Sequence, residues 1–269
     1  MSQGKGKGLF TRPGFIVFAV VVALVVAGGG AFAAITAVRG GSGAGESASA
    51  ASTVGHEQPQ PSSAPSATPD GNQSSTPDGN QSVCGLTGEV LGTAYLTEAP
   101  AVDHWDYQGT MAYPVSATYG PGATDSTGFH YCFQHSPEGA VYAAANAAVQ
   151  ADGADEDLVV NWLEYFLADS PERDELMSQD TSSSNNSGGS QGTRLQIAGF
   201  LLLAYDGATA RVDIAVTGSV DGQAVNMSAV YELVWESGDW KLAVHDPQEP
   251  VSFARLPHVA GYIPWGARR

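Results

Sequence analysis

The stretch "AVNMSAVYELVWESGDWKLAVH", residues 224–245, decides the fold. Val225, Met227, Ala229, Tyr231, Leu233 and Trp235 stand at every second position, and Trp240, Leu242 and Val244 repeat the pattern after Ser237-Gly238-Asp239. A period of two puts these side chains on one face of a strand pair, and the turn-forming residues between them close it as an antiparallel hairpin. The same period runs through "RLQIAGFLLLAY" (194–205) and "ARVDIAVTG" (210–218), with joints at Asp206-Gly207 and Asp221-Gly222. Four strands of a meander are expected between residues 194 and 245.

Upstream the period lengthens. Ser136 suits a helix N-cap, Pro137 the first helical position and Glu138 the positive helix end; "AVYAAANAAVQ" (140–150) then places Val141, Ala144, Ala145 and Ala148 on one face. Asp155 or Glu156 opens a second helix whose Val159, Trp162, Leu163 and Phe166 share a side, and Ser170-Pro171 starts a short third. "SSSNNSGGSQG" (182–192) has nothing to bury and reads as a loop. The segments "EVLGTAYLT" (89–97) and "MAYPVSATYGPG" (111–122) read as strand and loop. Helices followed by an antiparallel meander give an α+β fold, with helices packed on one face of a curved, cone-like sheet.

The domain has a tether. Lys5, Lys7 and Arg12 precede an uncharged run over 13–38, long enough as a helix to cross a hydrocarbon core of ~30 Å. Residues 1–12 are expected as a cytoplasmic tail, 13–38 as a transmembrane helix and 39–83 as a Pro/Ser/Gly linker with a tandem "TPDGNQS". The alternative is a cleaved signal peptide ending near Ala31-Phe32-Ala33. Either way, residues 84–269 form one domain outside the cell.

Charge divides at the same place. Of 11 Lys and Arg, four lie within residues 1–39; the remaining seven face all 28 Asp and Glu. A surface this acidic repels phosphate backbones and argues against nucleic acid as a direct partner.

Cys84 and Cys132 are the only cysteines, and in an oxidising compartment they read as one disulfide. His130 and His135 flank Cys132, but no second ligand pair follows at zinc spacing, so the segment reads as a staple and a helix start. In "DGADED" (152–157), taken as a calcium loop, position six is Asp157 and position twelve Leu163, so that pattern fails. Asp213 alternates away from Val212, Ile214 and Val216, and is expected as a solvated carboxylate on the polar face. With no phosphate loop or serine nucleophile motif, no catalytic residue, metal or cofactor is expected. In "LPHVAGYIPWG" (256–266), Tyr262, Pro264 and Trp265 suit either docking back on the sheet or an interface.

The hairpin "YELVWESGDWKLAVHD", with Trp235 and Trp240 five residues apart, resembles the C-terminal half of the nuclear transport factor 2-like (cystatin-like cone) superfamily. The run Cys84-Gly85-Leu86, Trp105, Pro114, Gly120-Pro121, Cys132, Pro137-Glu138-Gly139-Ala140 and Pro264-Trp265-Gly266 is similar to single-span actinobacterial proteins carried with conjugative or integrative elements. The resemblance implies a membrane-anchored scaffold subunit of a type IV secretion-like conjugation apparatus, contacting the cell membrane and either other membrane proteins or further copies of itself. A cell-surface cone domain that binds or converts a small ligand is the alternative.

Overall fold

The computed structural model describes residues 81–178, 193–220 and 222–267. The expected transmembrane helix over 13–38 and all but the last three residues of the expected linker lie outside these. Among the described residues no helix is long and apolar enough to cross a membrane.

A hairpin opens the domain: β1 (His104–Gln108) pairs antiparallel with β2 (Met111–Val115), and two-residue strands β3 (Ala123–Thr124) and β4 (His130–Tyr131) form a second small ladder. The segment 89–97, expected as a strand, makes no ladder. Its backbone is tied at separate points, with Val90 N–H donating to the His135 carbonyl and Ala94 N–H to that of Tyr205.

Three helices follow as the caps foretell. Helix α1 (Pro137–Ala147) begins where Ser136 Oγ accepts from Gly139 N–H, and α2 (Glu156–Phe166) where the Asp155 carboxylate accepts from Leu158 N–H. In α3 (Pro171–Ser178) the Ser170 hydroxyl accepts from Arg173 N–H. Helix α1 is buried from Gly139 to Asn146, and its alanines let it lie close on its neighbours. Gly139 has no alternative, because a Cβ there would run into the Gln134 carbonyl.

The main sheet has the order β10-β5-β6-β7-β8, all antiparallel, built on the meander β5 (Arg194–Tyr205), β6 (Thr209–Val220), β7 (Gln223–Glu236) and β8 (Asp239–Leu242). The molecule is α+β, as its periods require. Val212 and Ile214 on β6, Phe200 on β5, and Tyr231 and Leu233 on β7 pack with α1 and α2 into the core.

The opposite face holds what alternation could not reveal. After β8 the chain forms β9 (Ser252–Arg255), which pairs with β7, and then β10 (Ile263–Pro264), which pairs with β5 at the other side of the sheet. Residues 256–262 therefore cross the outer face as a strap. Asp213 lies beneath it, only 8% exposed, with its Oδ2 accepting from the Tyr262 hydroxyl at 2.6 Å. The expected solvated carboxylate is buried, because alternation says which way a side chain points and not what later covers it.

Candidate functional site

Three polar constellations are built into this frame. The first starts at the staple. Cys84 and Cys132 form a disulfide, with sulfurs 1.99 Å and Cα atoms 6.0 Å apart. Cys84 is exposed and Cys132 fully buried. Cys132 has a left-handed φ of 69°, a conformation that helps successive N–H groups face one anion. The anion is Asp239. Its Oδ2 accepts from Cys132 N–H and from the Tyr165 hydroxyl, both at 2.7 Å, and its Oδ1 from the N–H groups of Phe133 and Trp240, both at 2.9 Å. Burial pushes the Asp239 carboxyl above its usual range, while these donors and Lys241 pull it back. Val83 N–H donates to the Gly238 carbonyl, so the point where the chain enters the domain is fastened to the β7–β8 turn as well as to Cys132.

Lys241 belongs to the same cluster. It is the only lysine after Lys7, and it is buried. Its Nζ donates to the Tyr165 carbonyl at 2.7 Å and lies over the Tyr165 ring. The last turn of α2 carries no basic residue, so this ammonium supplies the positive charge that a helix C-terminus favours. Burial pulls its pKa down to about 8, against the opposing pull of Asp239, Glu236 and Asp169. Sequence reading missed both Asp239 and Lys241. A lone lysine in the domain, flanked by Trp240 and Leu242, was the available signal.

The second constellation separates the two histidines. His130 Nε2 lies 3.0 Å from the Tyr113 hydroxyl and its Nδ1 3.2 Å from Gln150 Oε1, and burial lowers its pKa. His135 instead stacks on Trp235, ring centroids 3.9 Å apart, with its Nε2 at the Gly207 carbonyl. Among the described residues no three His, Cys, Asp or Glu side chains gather in a way that could hold a metal. A cavity of about 10 Å³ lies beside His130, Asn146, Trp162, Tyr165 and Asp239. That is room for roughly one water.

The third is the strap. Trp265 is buried, with its ring edge-on to Trp105, Tyr142 and Phe200 at 5.6, 5.1 and 5.4 Å. The backbone N–H of Trp265 donates to the carbonyl of Ala198, a residue left unpaired by an irregularity in the β5–β6 register. Gly199 has to be glycine, because Ile263 passes where its Cβ would be. Of the three expected contact residues, Trp265 is in the core, Tyr262 half-buried on Asp213, and Pro264 exposed. At its C-terminal end the strap leaves two buried polar atoms without a protein partner, Asp213 Oδ1 and Trp265 Nε1. Such an atom costs about 1–3 kcal/mol if nothing else satisfies it.

A disulfide-stapled α+β domain belted by its own C-terminus is thus the class defined by fold and site. The model of a family described as "Domain of unknown function (DUF8175)" matches residues 63–264, and the chain belongs to that family. No curated protein and no solved structure matches it.

Proposed function

We propose that the chain is a membrane-anchored scaffold whose outward-facing domain works by contact with membrane proteins or further copies of itself. In this reading residues 13–38 anchor it, the linker holds the domain clear of the bilayer, and the domain is a nuclear transport factor 2-like cone. The setting that fits the sequence resemblance is a type IV secretion-like conjugation apparatus.

One observation carries the choice of contact over small-molecule chemistry. A cone domain that holds a ligand keeps it between helices and sheet, and here Tyr142, Phe200, Trp240 and Trp265 fill that space, each almost fully buried. The polar side chains nearby are engaged in fastening the fold: Asp239 holds the Cys132–Phe133 turn, and Lys241 the end of α2.

Protease added to intact cells tests the topology. Removal of the domain, leaving a small membrane-bound fragment, is expected; full protection contradicts the reading. Denaturing extraction of the purified full chain tests the rest, since release of a stoichiometric small molecule would favour the ligand-binding alternative.

A further inference from the structure

Of the five large apolar side chains that stand exposed among the described residues, four lie at one end of the domain. Leu203 comes just before the β5–β6 turn, and the Leu91 backbone lies so close to Gly207 in that turn that a Cβ there has no room. Tyr95 follows Ala94, whose N–H donates to the Tyr205 carbonyl. Val83 stands at the β7–β8 turn, where its N–H meets the Gly238 carbonyl. The two turns share an end of the sheet, since Trp235 N–H donates to the Ala208 carbonyl between them. Leu203, Leu91 and Tyr95 are 44%, 54% and 76% exposed, and apolar side chains gathered in this way mark a contact surface more than scattered ones do.

This is also the end at which the chain enters the domain, with Val83 fastened to Gly238 and Cys84 to Cys132. In the assembly reading the patch therefore faces the membrane side. The tether has little to cover it with, because residues 39–80 contain no Leu, Ile, Met, Phe, Tyr or Trp. An added strand is also a poor fit: Leu203 is the extra residue of a bulge opposite β6, which bends the edge and turns the side chain outward. The rim is acidic. Glu89 and Asp206 are exposed beside the patch, and burial, then Glu138 and Asp206, push the Tyr205 hydroxyl up. Arg211, opposite Ala204 in the register, is already held by Glu232 at 2.9 Å. A further copy of this acidic domain, or an anionic bilayer, would bring like charge to that rim, whereas Lys or Arg would match it.

We propose that this end docks an outward segment of a different membrane protein, one that sets apolar side chains on Leu91, Tyr95 and Leu203 and Lys or Arg against Glu89 and Asp206. The inference rests on the assembly reading above and chooses its partner.

Full-length chains carrying Leu203→p-benzoylphenylalanine, irradiated in intact cells, test it. The control probe is Tyr107→p-benzoylphenylalanine, an exposed site near the β1–β2 turn, where Thr110 meets Asp152 beyond the other end of α1. The expected link from position 203 maps by mass spectrometry to an apolar segment flanked by Lys or Arg in another membrane protein, with no such link from position 107. Adducts with lipid alone overturn the inference. Links to a second copy of this chain also overturn it, yet leave the assembly reading standing, as do protein links from position 107 with none from 203. No protein link from either position contradicts both readings. Adding Glu89→Lys to the Leu203 probe chain should lower the yield of the expected link by roughly threefold, since it replaces an attractive rim pair with a repulsive one. An unchanged yield overturns the charge matching on which the choice of partner rests.

Discussion

Lys241 carries a charge the fold would hold more cheaply if it were neutral. Its pKa in the folded domain, about 8, lies below the 10.5 of the unfolded chain. Between those values the unfolded chain binds more protons, so stability rises with pH, by at most roughly 3 kcal/mol over the window. Chemical denaturation at pH 7.5 and 9.5 should show this rise in the wild type and its loss in Lys241→Met. An equal rise in both would assign it to another group. Asp239 acts in the opposite way: it is a hub whose removal strands several partners. Asp239→Ala leaves three backbone N–H groups and the Tyr165 hydroxyl without their acceptor and should cost about 3–5 kcal/mol, read as a fall in denaturation midpoint. Asp239→Asn, which keeps one acceptor oxygen, should cost less.

At the scale of elements, the strap and the staple are separable. Trp265→Ala opens a hole among Trp105, Tyr142 and Phe200 and should destabilise the domain by about 3–5 kcal/mol, with unchanged far-ultraviolet dichroism at low temperature. A loss below 1 kcal/mol would mean the strap is not seated there in solution. Cys132→Ser opens a long loop and should cost about 4 kcal/mol in the chain-entropy view. The meander was legible in the sequence because its burial is local: Val212, Ile214, Tyr231 and Leu233 announce their face by period alone. Helix α1 was legible from Ser136 and Pro137. Strands β9 and β10 were not, because "SFAR" and "IP" carry no period of their own and become strands only where β7 and β5 offer an edge. The roles of Asp213, Asp239 and Lys241 escaped for a related reason. Their partners lie 49, 107 and 76 residues away in the chain, beyond the reach of any local pattern.

For the whole molecule, the acidic domain, its filled interior and the tether expected from the sequence support the proposed mode of action, contact made outside the membrane. Crosslinking from the outer surface is the direct test, and the choice of chemistry matters. The domain's one lysine, Lys241, is buried, so amine-directed reagents are blind to it, whereas exposed carboxylates such as Glu98, Asp106 and Glu175 are plentiful. The deciding measurement is mass spectrometry of the full chain after carboxylate-directed, membrane-impermeant crosslinking of intact cells. The contact account expects domain peptides linked to a second copy or to other membrane proteins. Domain peptides free of any protein crosslink, from a chain that releases a bound small molecule on denaturation, would contradict it.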